Sequence, residues 1–268
     1  MSPRAVAALI RAGWRSALSY RLRFAFSMLA LLVMIVPLYF LSRAIQPMMA
    51  PAIATEGTQY FAFVTVGLFT SMLVASAVSA LPDAISSDLN SGFFEAVVST
   101  PVGAGTVAVG LAGYPILRSV VQGVTLVLAG ALLGIHLVWA RLPEALLIIA
   151  LIAVAHFGLG LIAAALIVAF RTNAAIPQIV MLASGLLGGV YYPTTVIPSW
   201  IANVSDVVPL AYGLRALRHT ILDGQGIHMV LKDLGILTSF AVVLLAIGAM
   251  AYRASLHYAR QAGSLSQY

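Results

Sequence analysis

The chain has no cysteine among its 268 residues, which excludes disulfides, thiolate-bound metals and cysteine nucleophiles. Charge is nearly as scarce, with Asp, Glu, Lys and Arg together making up 8% of the sequence. A water-soluble domain needs a far more ionic surface, so the solvent for most of this chain is lipid. No glycine-rich phosphate loop ending in Gly-Lys-Ser/Thr occurs, which excludes unaided binding and hydrolysis of ATP. His136, His156, His219, His228 and His257 have no close ligand spacing, and the carboxylates are scattered. Leu182-Ala183-Ser184-Gly185 lacks the glycine two before serine of an intramembrane serine protease. His156, alone in a predicted span, reads as a hydrogen-bonded core residue rather than a catalyst. An intramembrane enzyme, which needs a nucleophile with its base, a metal cluster or a carboxylate set, is therefore disfavoured. An ion-coupled secondary transporter is the other alternative. Against it, no internal repeat is visible, and every Asp and Glu falls at the edge of a predicted span or in a connection.

What is present is apolar: 62% of the residues are hydrophobic, and the mean hydropathy is +1.03. Uncharged runs of about 18 residues or more predict six membrane helices, over 24–42, 57–82, 119–140, 145–170, 172–197 and 234–252. Six spans of about 20 residues each leave no room for a large soluble domain, so residues 1–268 read as a single transmembrane domain. The basic start of the chain, the apolar run after it and Ala52-Ile53-Ala54 together resemble a secretory signal. The first apolar run is too long for a signal core, so it is expected to be retained as a span.

Six crossings place both termini on one side. With the N-terminus cytoplasmic, Arg4, Arg11, Arg15, Arg21, Arg23, Arg118, Arg171, Arg253 and Arg260 lie inside. Arg43, Arg141, Arg215, Arg218 and Lys232 lie outside. That excess predicts cytoplasmic N and C termini in the inner (plasma) membrane. Residues 1–23 project Arg4, Arg11 and Arg15 onto one arc, with Val6, Ile10 and Ala17 opposite and Trp14 at the boundary. This pattern predicts a helix lying at the membrane interface. Arg118 should sit at cytoplasmic headgroup depth, so that the third helix begins in the cytoplasm before its membrane part starts. Glycine pairs at four-residue spacing, Gly130 with Gly134 and Gly185 with Gly189, suggest close helix packing.

Two segments are not spans. Residues 83–101 form an amphipathic stretch bounded by Pro82 and Pro101, with Asp88, Glu95 and Ser99 on one face and Leu89, Phe93, Ala96 and Val97 opposite. A short cytoplasmic helix here can pass a push into the membrane. Residues 193–231 are too apolar for a soluble loop and too interrupted for a span. Helix starts are expected at Pro198-Ser199 and at Ser205-Asp206 with Pro209 in the first turn, and a stop at Asp223-Gly224. Such a piece predicts two short helices dipping into the outer leaflet, covered by protein or water.

In these two segments the chain resembles the ABC transporter type 2 permeases, fold type V, particularly their daunorubicin-resistance-like drug-efflux branch. Residues 87–102, SDLNSGFFEAVVSTPV, are similar to that family's coupling-helix signature. Gly188-Gly189-Val190-Tyr191-Tyr192-Pro193, Ile197-Pro198-Ser199-Trp200 and Pro209-Leu210-Ala211-Tyr212, with Arg215 and Arg218 following, are similar to its extracytoplasmic re-entrant hairpin. The likeness covers essentially the whole chain in length, span count and order. One departure is that residues 103–117 carry no basic residue where many relatives do, which implies a less acidic complementary surface on the ATPase.

The resemblance implies an all-α integral membrane fold of six helices with an N-terminal interfacial helix, a cytoplasmic coupling helix and a re-entrant hairpin. It implies that Asp88, Gly92, Phe93, Glu95, Ser99, Thr100 and Pro101 dock in a cleft of a separate cytoplasmic ABC ATPase, present in two copies. ATP and Mg belong to that partner, with no cofactor, metal or catalytic residue on this chain. A second copy or a similar permease would complete one pathway. By the same resemblance the second and fifth spans line it, which makes Phe69, Met72, Tyr191 and Tyr192 candidate pathway residues. The expected activity is outward movement of a hydrophobic or amphiphilic substrate: a drug, lipid or glycolipid.

Overall fold

The computed structural model describes residues 3–91, 103–170 and 175–261, and these are helical, with no strand among the described residues. In chain order the helices are α1 (Pro3–Ser19), α2 (Arg21–Ile53), α3 (Tyr60–Ser91), α4 (Ala104–Leu132), α5 (Leu142–Phe170), α6 (Ile176–Leu187), α7 (Ser199–Ser205), α8 (Pro209–Ile221) and α9 (Leu231–Gln261). Among the described residues five segments are long and apolar enough to cross a bilayer: Phe24–Ile53, Tyr60–Leu89, Gly105–Leu132, Trp139–Phe170 and Leu231–Ala259. Five of the six predicted spans are thus represented among the described residues.

The run at 172–197 accounts for the difference. Its described helix, α6, has 12 residues, about 18 Å, against the ~30 Å of a hydrocarbon core. Gly188 and Gly189 end it, and Gly189 takes a φ of +80°, a turn that side chains with a Cβ rarely adopt.

Helices α3, α5 and α9 form the centre. At one end Val66, Phe69 and Leu73 of α3, Ile148 and Ile152 of α5 and Leu237 of α9 enclose Leu210, Leu214 and Leu217 of α8. At the other end Leu81 and Ile85 of α3 meet Leu161 and Ala164 of α5 and Tyr252 and Leu256 of α9. The backbones of α5 and α9 touch: a methyl at Gly158 would lie 2.5 Å from the Leu244 carbonyl carbon, and one at Gly248 would lie 2.4 Å from the Gly158 oxygen. The tightest backbone packing thus falls at Gly158, Gly160 and Gly248; of the spaced pairs only Gly130 is close packed, against Thr65 of α3 and Ile135. Gly134 and Gly189 are turn residues of positive φ, and Gly185 faces open space.

Pro82 does not end the second span as its position suggests, because α3 runs through it to Ser91. A proline leaves the carbonyl four residues earlier without its helical donor. That carbonyl, Val78 O, lies against Gly160, where a methyl would come within 2.8 Å of it. The glycine lets α5 cover the freed oxygen by close Cα approach, which keeps the helix continuous.

Helix α1 packs its predicted apolar face on α4. A methyl at Gly110 would meet Leu9, one at Gly113 would meet Ile10, and one at Gly13 would meet Tyr114. Positions rise together along both helices, so they run side by side in the same direction. Arg4, Arg11 and Arg15 point away and are exposed. Helix α2 is peripheral, with 6% of its most apolar window buried.

Candidate functional site

The most connected polar group in the described structure is Arg218 on α8, which is 1% exposed. The apolar stripe of α8 turns Leu210, Leu214 and Leu217 into the core, and Arg218, one step on from Leu217, is carried in with them. Its Nη1 donates to Glu56 Oε2 at 2.8 Å. Its Nη2 donates to the carbonyls of Gly189 at 2.8 Å, Phe63 at 3.1 Å and Val190 at 3.3 Å. The guanidinium lies over the Phe63 ring, 3.3 Å from its centroid. One side chain therefore ties α8, the α2–α3 turn, the start of α3 and the turn after α6. Burial pulls the Arg218 pKa down to about 10, against the opposing charge and hydrogen bond of Glu56. The group stays cationic at neutral pH.

Around this hub, Gln46 of α2 donates to Thr58 O and accepts from the Tyr60 amide. The Tyr60 hydroxyl donates to Tyr191 O at 2.9 Å. Gly67 is required behind it, since a methyl there would come within 2.3 Å of Val190 O and 3.2 Å of Arg218 Nη2. Three residues before Arg218, Arg215 makes a two-pronged pair with Asp233 at the start of α9, which raises the arginine's pKa. Gly213 of α8 abuts Ile152, ten residues into α5, so α8 lies about 15 Å along that helix.

Beside the hub a cavity of about 510 Å³ opens between α2, α3 and the end of α4, lined by Tyr39, Ser42, Arg43, Gln46 and Phe61 among others. Tyr39 and Phe61 meet edge to face at 5.2 Å. The Ser42 hydroxyl is sealed from solvent without a hydrogen-bond partner. Among the described residues no group of three or more His, Cys, Asp or Glu is placed to hold a metal.

The sequence-predicted residues fall as follows. Asp88 lies in the last turn of α3, whereas Gly92, Phe93, Glu95, Ser99, Thr100 and Pro101 lie outside the described residues. Phe69 is 4% exposed, its ring filling the space beside Gly123 of α4. Met72 packs partly buried with Ile35, Leu126 and Ile135. Tyr191 is 46% exposed, and the Tyr192 hydroxyl donates to Leu186 O. Tyr191 joins the hub through its backbone carbonyl, Tyr192 bonds back to α6, and Phe69 and Met72 lie further down α3. Glu56 escaped sequence reasoning. Its one signal was an acidic residue at the boundary of a long apolar run, opposite a later segment carrying two arginines.

A protein of this build is a multi-pass membrane protein whose helices are braced by a buried ion pair at one end. Residues 5–222 match the family of ABC-2 type transporters, and the chain belongs to that family, the membrane subunits of ABC transporters, which work with an ABC ATPase. It is similar to nodulation protein J of Rhizobium leguminosarum bv. viciae, 26% identical over 189 residues covering 70% of this chain and 72% of that protein. It is also similar to the linearmycin resistance permease protein LnrN of Bacillus subtilis (strain 168). That pair is 24% identical over 188 residues, which cover 70% of this chain and 47% of the relative.

Proposed function

We propose that this chain is the permease of an ATP-driven exporter of fold type V, moving a hydrophobic or amphiphilic substrate outward while ATP is hydrolysed on a separate cytoplasmic subunit. The observation that carries this reading is the unbroken course of α3. Its 32 residues make a rod about 48 Å long, so about 18 Å projects beyond the ~30 Å hydrocarbon core. One end carries Phe63 and the Arg218 hub; the other delivers Asp88 and runs towards the segment that resembles a coupling helix. A push at Glu95 therefore has a stiff path to the hub. Closure of an ATPase dimer would supply that push and rotate α3 against α8.

Cytoplasmic termini in the inner membrane follow from the distribution of arginines, and α7 and α8 form the outer re-entrant segment. The depth of α8 beside α5 supports that placement. The cavity by Tyr39 and Arg43, with its aromatic and amide lining, suits the polar head of an amphiphile. A linearmycin resistance permease among the relatives fits a drug or lipid-like cargo. Helix α6 leaves Ile179, Leu182 and Leu186 exposed on one stripe with Gly185 open between them, a face suited to a second permease copy.

The test is to co-express the chain with its cognate ABC ATPase, purify the complex and assay ATP hydrolysis. The reading predicts a stable complex of two permeases and two ATPases whose hydrolysis responds to lipid or drug and falls in Glu95→Lys. Turnover by the chain alone, or gradient-driven uptake into vesicles without nucleotide, would instead establish an enzyme or an ion-coupled carrier.

A further inference from the structure

At the end of the bundle away from the hub, α1, the start of α2 and α4 enclose a second cavity of about 280 Å³. Arg118 lies in its wall, together with Ser16, Tyr20, Phe24 and Tyr114. The Arg118 Nε is sealed from solvent with no hydrogen-bond partner, and no carboxylate among the described residues forms an ion pair with this guanidinium. A cation that merely reached for bulk water would not enclose a donor; a sealed, unmatched N–H is costly unless something supplies an acceptor.

The walls say what that acceptor is. Ser16, Tyr20 and Tyr114, each carrying a neutral hydroxyl, line the same space around one cation, together with the apolar ring of Phe24. Trp14 stands edge-on to Tyr114 at 5.4 Å and to Phe24 at 6.5 Å, as an indole at a bilayer interface would. About 21 Å of α4 precedes Arg118, which places it level with the basic corner where α1 turns into α2. Exposed Arg11, Arg15 and Arg21 flank that corner and add attraction for negative headgroups. The volume suits a headgroup rather than a whole lipid, whose chains would leave along α2, where Phe26 and Leu29 are exposed.

We propose that this cavity binds the phosphate headgroup of an anionic phospholipid, with Arg118 as the charged donor, so that a lipid fastens α1 and α2 to α4. The inference needs only the membrane-spanning fold and stands whether or not the chain exports anything.

The test uses the purified full-length chain in detergent, titrated with phosphatidylglycerol or phosphatidylcholine of matched acyl chains and followed by native mass spectrometry and thermal unfolding. One phosphatidylglycerol is expected to remain per chain and to raise the unfolding temperature, with phosphatidylcholine at least about tenfold weaker. Arg118→Gln should weaken phosphatidylglycerol by about tenfold or more, and Arg118→Lys by less. Ser16→Trp, on the exposed side of α1, should block the cavity with Arg118 intact, and decides the matter if Arg118→Gln does not fold. Wild-type binding in Ser16→Trp or in folded Arg118→Gln would overturn the proposal. So would equal binding of phosphatidylcholine, or displacement by millimolar inorganic phosphate, which would mark a site for free anions.

Discussion

Arg218 and Glu56, separated by 162 positions in the chain, meet at 2.8 Å inside the protein and close one end of the bundle. Their side chains are 1% and 6% exposed. Removing one partner of such a pair leaves the other buried and unmatched, which costs about 3 to 5 kcal/mol. Arg218→Met and Glu56→Leu should each lower the unfolding temperature of the purified chain sharply. The double variant should lose clearly less than the two single losses added, because it leaves no orphan charge. Additive losses in unfolding measurements would show that the pair is not coupled.

The hub can also be struck without touching charge. Gly67→Ala puts a methyl 2.3 Å from Val190 O and must displace either the turn after α6 or the α3 backbone. The expected cost is about 1 to 3 kcal/mol, as for overpacking elsewhere. Faster amide exchange of residues 189–192, with residues in α9 unchanged, is the accompanying signature.

Helix contact through glycine gives a third prediction. Gly248→Val and Gly158→Val drive side chains into the facing backbones of α5 and α9 and should abolish accumulation of folded protein in the membrane. Gly185→Ala has open space around it and should leave the stability of the isolated chain unchanged. If that substitution weakens association between permease copies, the exposed stripe of α6 is their contact.

These residues also show what the sequence could and could not reveal. The start at Ser199 was legible, and the stop expected at Asp223-Gly224 falls just past the end of α8 at Ile221, whereas the start expected at Ser205-Asp206 was wrong, because Ser205 ends α7 and α8 begins only at Pro209. The inward face of α1 was legible from periodicity, although its partner, α4, was not. Pro82 misled because the loss of a local hydrogen bond is offset by Gly160, 78 positions away, which no local rule can see. The run at 172–197 was legible as apolar throughout, whereas the turn at Gly188 and Gly189 that ends its described helix, where Arg218 bonds the Gly189 and Val190 carbonyls, was not. The glycine pairs were only half informative for the same reason: spacing marks a possibility for contact, and tertiary placement decides which glycine uses it, as Gly130 does and Gly185 does not. Glu56 and Arg218 could not be paired from sequence, since nothing local links a turn residue to a helix so far along.

The central claim is that α3 transmits force as a rigid rod. Ala84→Gly with Ser87→Gly softens it between the two ends, at about 1 kcal/mol of helix propensity for the alanine and about half that for the serine, without touching the hub or residues 92–101. The deciding measurement is substrate moved per ATP hydrolysed in proteoliposomes holding the permease with its ATPase. The account predicts that hydrolysis persists while transport per ATP falls several-fold in the softened variant. Transport per ATP equal to wild type would contradict it.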